Sequence, residues 1–282
     1  MSEIAPEWRQ FPRGVSAASL VSRGEASLRE GDIVAAGNWF VYAMRKGEGQ
    51  ARSRLGDLMP QLESLAMRNV DAKALLAGIM LDLSIDVDRS FELFGDAAES
   101  GVPEGKRGLG FMLLHGLGVQ KDPVRANLCF ESALQDGDLY SAYNLAVNFH
   151  NGAGVERNDS EYLRLLRMAA EGGIPEACAL LGDELSDRDL DAEALSYYLQ
   201  AAEEGHAPAM FVAACWCRDG VGTEVDKVRA IRWFLGMLDR GDADGIHPAH
   251  ELAQGMAIGE VREAGRLAGR EEEAELLIRG RV

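Results

Sequence analysis

Gly105–Gly137 reads GKRGLGFMLLHGLGVQKDPVRANLCFESALQDG. It divides into a helix-length segment (Gly105–His115), a glycine turn (Gly116–Val119), a polar start (Gln120–Pro123) and a second helix-length segment (Val124–Asp136) closed by Gly137. The unit returns. A shift of 36 residues carries Leu109 onto Leu145, Gly116 onto Gly152, Gly118 onto Gly154, Val119 onto Val155, Ala133 onto Ala169 and Gly137 onto Gly173. Self-similarity at such a period is the signature of a solenoid, in which each unit buries its apolar face only by stacking on the next.

Working outward, the predicted stops Gly47, Asn69, Gly101, Gly137, Gly173, Gly205 and Gly241 are spaced 22, 32, 36, 36, 32 and 36. The shorter units lack the G-x-G turn; LGDELSDRDLDAEAL (Leu181–Leu195) is four turn residues short. The glycines of the full turn supply a backbone with φ > 0, and Asp122 and Asp226 suit the start of the second helix. Gly110, Ala146, Gly182 and Ala214 share one position in the first helices. Large residues pair in the second helices (Cys129/Phe130, Tyr197/Tyr198, Trp233/Phe234), so one helix offers gaps and the other bulk. In this scheme Trp233 fills the space beside Ala214.

Upstream, Ser16–Ala26 and Asp32–Arg45 read as helices, with Ala36, Trp39, Phe40 and Ala43 on one stripe. Pro60 is expected to break the segment from Ala51, with a short helix to Arg68 and Asn69 as a left-handed stop. Downstream, a helix around Pro248–Met256 and one charged helix around Glu260–Arg279 close the chain. The expected organisation is therefore an irregular segment 1–15, in which Trp8 and Phe11 could fold back as a cap, a repeat solenoid 16–255, and a capping helix within 256–282. The fold class is all-α: a right-handed α-solenoid of antiparallel helix-turn-helix repeats.

Charge narrows the partners. With 46 acidic and 29 basic residues among 282, the net charge is −17. Nucleic acid and anionic membrane both require clustered Lys and Arg, so neither is expected; a basic protein is compatible. No apolar run reaches the ~20 residues of a membrane span, and the beginning of the chain lacks signal-peptide regions. Four unevenly placed cysteines (Cys129, Cys178, Cys215, Cys217) read as reduced thiols of a cytoplasmic monomer.

These units resemble the Sel-one-like repeat family, a relative of the tetratricopeptide repeat, with a pattern near A-x3-LG-x2-Y-x2-G-x-GV-x2-D-x2-KA-x2-WY-x2-AAE-x-G. Ala209–Gly241 is the best match, through Gly220, Gly222, Asp226, Arg229, Ala230, Trp233, Phe234 and Gly241; Ala201–Gly205 matches the ending. Glu161-Tyr162 and Leu165-Leu166 depart from the pattern. The resemblance spans about Ser16 to Gly255 and implies a binding scaffold without catalysis. It also implies which positions face inward on the first helices: Arg107, Phe111 and Leu114; Tyr140, Tyr143, Val147 and His150; Asp183; and Phe211, Cys215 and Arg218. Aromatics and arginines are the types that dominate interface energetics. Replacing Arg107 and Tyr143 is expected to remove binding and leave the fold intact. The alternative is an acidic immunity or inhibitor protein that neutralises a basic toxin or enzyme.

Other constellations carry less. Cys215-x-Cys217 on a helix points two ways and has only His206 nearby, a poor zinc set; no metal or other cofactor is expected. Gly116–Val119 follows a helix and lacks Gly-Lys-Ser/Thr, so it is a repeat turn rather than a phosphate loop. His115 and His150 recur at helix ends. Asp183 and Asp187 could orient a base, but no nucleophile is placed beside them, and no catalytic residue is assigned. Glu271–Glu273 reads as a solvated face.

Overall fold

A computed structural model describes residues 15–280; Trp8 and Phe11 lie outside the described residues. Among those residues there are sixteen α-helices, a 3₁₀ turn and no strand. The chain forms two compact units, divided after Ile174. The first holds α1 (Ala17–Glu30), α2 (Ile33–Arg45), α3 (Gly49–Ala66), α4 (Val70–Asp82), α5 (Val87–Glu99), α6 (Pro103–His115), α7 (Pro123–Gln135), α8 (Leu139–Asn151) and α9 (Asp159–Glu171). The second holds α10 (Pro175–Ser186), α11 (Asp191–Glu203), α12 (Ala207–Asp219), α13 (Lys227–Gly236) with the 3₁₀ turn Met237–Arg240, α14 (Ile246–Gln254), α15 (Ile258–Ala268) and α16 (Glu271–Arg279). Within each unit the helices stack as the pairs of an α-solenoid.

Local chemistry sets these boundaries. Asp122 and Asp226 accept the backbone N–H of Arg125 (3.0 Å) and Arg229 (2.9 Å), as N-caps do. The stops Gly47, Gly101, Gly137, Gly173, Gly205 and Gly241 all have φ between +71° and +92°. The G-x-G turns also take φ > 0 at both glycines, and the second glycine has a further reason to be there. A Cβ on Gly154 would lie 2.4 Å from the carbonyl carbon of Pro123, and one on Gly222 2.5 Å from the carbonyl oxygen of Asp191. Each long turn is thus seated on the start of the second helix of the preceding pair. The two short turns manage with one left-handed non-glycine residue each, Ser84 (φ 55°) and Asp189 (φ 58°).

Packing follows the gap-and-bulk scheme with one correction. A Cβ on Gly110 would meet Phe130 at 2.8 Å, and one on Gly182 would meet Tyr198 at 2.7 Å. The ring over the small residue is therefore the second member of each pair. In this register the partner of Ala214 is Phe234, fully buried, rather than Trp233. Trp233 is 4% exposed, carries the Arg232 guanidinium over its ring at 4.3 Å, and leaves its Nε1–H without an acceptor. A buried amide chain ties two pairs together in the first unit: Asn148 Nδ2 donates to Asn127 Oδ1 (2.7 Å), and Asn127 Nδ2 donates to the Ala153 carbonyl (2.8 Å).

Three boundary expectations are corrected. Pro60 does not break α3, which runs unbroken through it. Pro60 and Gly56 are both exposed, so the Gly56 carbonyl that loses its donor faces water. Asn69 is a start, not a stop: its backbone is extended (φ −130°) and its side chain accepts from Ala72 N (2.8 Å) to cap α4. The single terminal helix is two, α15 and α16, because Gly269 takes the left-handed conformation between them (φ +67°).

Candidate protein-binding face

In the first unit α2, α4 and α6 pack in a row, alternating with the other helices. Their inward side chains meet across the row. The Arg45 guanidinium, from α2, lies over the ring of Tyr140, on α8, at 5.9 Å from its centroid. Helices pack about 8–10 Å apart, so a flat row would hold α2 and α8 well beyond an arginine's reach. This face of the first unit is curled inward.

At its centre is Arg107. Its Nη1 donates to Asp138 Oδ2 at 2.5 Å, and its guanidinium lies over Tyr140 at 5.0 Å. Asp138 is also the N-cap of α8, accepting Ser141 N at Oδ1 (2.8 Å). It therefore holds the helix and the arginine at once. Burial works against the Arg107 charge, but Asp138 and Glu104 outweigh it and hold the guanidinium pKa above its usual value. Burial likewise pushes the Tyr42 phenol up, opposed by Arg107 and Arg45. Arg45 is held more loosely: 46% exposed, with Asp82 at 3.9 Å.

The remaining expected residues of this unit extend from that cluster. Phe111, one turn beyond Arg107, is 38% exposed and packs on His115 with the rings tilted, centroids 4.4 Å apart. Leu114, Tyr143 and Val147 are half-buried. His150 is exposed and packs on Tyr162 at 4.8 Å.

The other expected residues belong to the second unit. Asp183 accepts the Tyr198 hydroxyl (2.7 Å), and burial, then this bond, raise the Tyr198 pKa. Phe211 is 37% exposed and meets Phe234 edge-on at 5.8 Å. Arg218 pairs with its neighbour Asp219 through two contacts of 2.7 Å. Cys215 is half-buried and Cys217 buried. No group of three or more His, Cys, Asp or Glu among the described residues could hold a metal ion, and no helix among them is long and apolar enough to cross a membrane.

Sequence reasoning missed Tyr42, Arg45, Asp82, Glu104 and Asp138. The signal for some was present. Glu104 stands five before Leu109, the position that yields Tyr140 in the next repeat, and Asp82 is the α4 counterpart of Leu114. Arg45 lies opposite the buried stripe of α2, and Tyr42 flanks that stripe, half-buried against the core.

Comparison with known proteins bears on the repeat architecture. The Sel1 repeat model matches residues 103–138, 139–174, 175–206 and 207–242, the pairs α6/α7, α8/α9, α10/α11 and α12/α13. A Sel1 repeat protein from Oxalobacter formigenes is 20% identical, with TM-score 0.62, covering 85% of this chain and 76% of that one. The protective antigen c5321 of uropathogenic Escherichia coli strains, described as displaying an SLR fold, is 22% identical with TM-score 0.55, covering 89% and 62%. A curated relative, the chitin synthase regulator SKT5 of Malassezia restricta, is 28% identical over 158 residues; these are 52% of this chain but span only 11% of that protein.

Proposed function

The chain belongs to the Sel1-repeat family, and from that premise we propose that it is a non-catalytic, cytoplasmic scaffold that binds a protein or peptide on the inner face of its first unit. The observation that carries this reading is the curled face itself: Phe111, Tyr143 and Val147 lie beside the Arg45–Arg107–Tyr140 cluster on a frame of packed helices. Exposed aromatic and guanidinium groups on a rigid frame supply contact area at little loss of conformational freedom. The curated relative is a regulator by name, in keeping with a role through binding.

The test is capture of the partner from the native cell by the full chain, then titration of that partner against Phe111→Ala and Tyr143→Ala. A hot spot worth about 2 kcal/mol corresponds to a loss of about thirtyfold in affinity. Both variants should keep the parent's helical signal. Binding equal to the parent in both would refute the inner-face reading. A second reading, a neutraliser of a basic toxin or enzyme, draws on the net charge of −17. It expects a steep loss of affinity with salt and little response to Phe111 or Tyr143.

A further inference from the structure

We infer that the cluster around Tyr140 is a receptor for an arginine side chain of a basic peptide, and that Arg45 is the displaceable group now seated in it. This rests on the inner-face reading and names its ligand chemistry. The first observation is that the site already takes guanidinium groups. Tyr140 has two over its ring, Arg107 at 5.0 Å and Arg45 at 5.9 Å. Planar guanidinium groups stack on aromatic faces while their edges donate to carboxylates, and both kinds of partner are present.

The two occupants are not held alike. Arg107 is 25% exposed and joined at 2.5 Å to Asp138, itself only 6% exposed. Arg45 is 46% exposed and stands 3.9 Å from Asp82, beyond hydrogen-bonding distance. Moving Arg45 into water breaks no short contact, whereas moving Arg107 breaks a short, nearly buried one.

Charge selects the incoming group. Asp82, Glu104 and Asp138 face two guanidinium groups, so the cluster carries one carboxylate in excess, within a chain of net charge −17. If Arg45 swings out, the excess grows, and a second arginine restores the balance. A ligand carboxylate would instead approach three others. Lysine fits less well, because its compact, strongly hydrated ammonium cannot stack and donate in one plane. Beside the cluster, Phe111 lies one helical turn from Arg107, and Tyr143 and Val147 lie one and two turns from Tyr140, so an apolar residue next to the ligand arginine has a surface to cover.

The experiment uses the full chain and short blocked peptides repeating the triplet Gly-Xaa-Leu, with Xaa Arg, Lys or Glu, titrated by fluorescence anisotropy. The arginine peptide should bind about fivefold tighter than the lysine peptide, and the glutamate peptide should not bind. Arg45→Met should tighten the arginine peptide about threefold, and Asp82→Asn and Tyr140→Leu should each weaken it about fivefold. Arg45→Met and Asp82→Asn alter exposed side chains, so they carry the test even if Tyr140→Leu disturbs packing. Weaker arginine-peptide binding on Arg45→Met would make Arg45 part of the receptor rather than its occupant, and preference for the glutamate peptide would make it a donor to an acidic ligand; either result would overturn the proposal. Binding indifferent to all three substitutions would overturn it too, as diffuse attraction to an acidic surface. If no arginine peptide binds while the cellular partner is still lost on Phe111→Ala, the inner-face reading stands and this one falls.

Discussion

Arg107 carries two loads, and a substitution there reads out both. It faces the inner surface, yet its guanidinium neutralises Asp138, which is nearly buried and caps α8. Removing one partner of such a pair strands the other's charge. Arg107→Met should therefore lower stability by about 2 kcal/mol, seen as a lower urea midpoint at unchanged slope. This revises the expectation that Arg107 can be replaced with the fold intact; Phe111 and Tyr143 are the cleaner probes of binding. A second residue-scale prediction concerns Ser84, held at φ 55° with a side chain that disfavours it. Ser84→Gly relieves that strain but frees the unfolded chain, for a net gain of about 0.5 kcal/mol by the same measurement. A third is Tyr198. Its folded pKa lies above the ordinary 10.0, through burial and its bond to Asp183. A group that holds its proton more tightly when folded contributes stability that is complete below the unfolded pKa and is lost as pH rises towards the folded one. Stability should thus fall as pH climbs past 10, and Tyr198→Phe should flatten that alkaline limb in thermal melts.

At the scale of elements, the glycine turns separate strain from space. Gly154 and Gly137 both need φ > 0, at +71° and +92°, but only Gly154 is pressed against backbone, that of Pro123 and Val124. Gly137 has nothing within 4 Å of an added Cβ. Gly137→Ala should therefore destabilise by about 1 kcal/mol, from strain alone, and Gly154→Ala by about 3 kcal/mol, from strain plus backbone displacement. Equal effects in denaturant titrations would mean that the turns do not seat on the preceding pair. These turns were legible in the sequence because glycine at a 36-residue period has one economical explanation. Asn69, Pro60 and Gly269 were not legible, for the opposite reason. Asn is at home both in a left-handed stop and in an N-cap. Pro60 is tolerated only because the Gly56 side of α3 faces water, and that depends on tertiary packing.

At the scale of the whole molecule, the limits of legibility become those of distance. The repeat resemblance singled out Arg107 and Tyr140, which meet in one cluster, and Phe111 and Tyr143, which lie one turn along the same two helices. Nothing local, however, announces that Arg45 of α2 meets Tyr140 of α8, since that contact depends on the curl of the first unit. Distance also governs how the chain should fail. In a repeat array each pair draws its stability from its neighbours, so damage spreads only as far as those interfaces are strong. Here the contacts separate into two units, each with its own buried rings: Phe130 in the first and Phe234 in the second, both fully buried. Truncating either ring should destabilise by about 3–5 kcal/mol. In hydrogen exchange read by mass spectrometry, Phe234→Ala should speed exchange in 175–280 and spare 15–174, and Phe130→Ala should do the reverse. The reciprocal pair matters, because a single variant could reveal only a weak end of the array. If either substitution speeds exchange evenly along the chain, the units unfold as one body, and the stability that supports the inner face is drawn from all sixteen described helices rather than from its own nine.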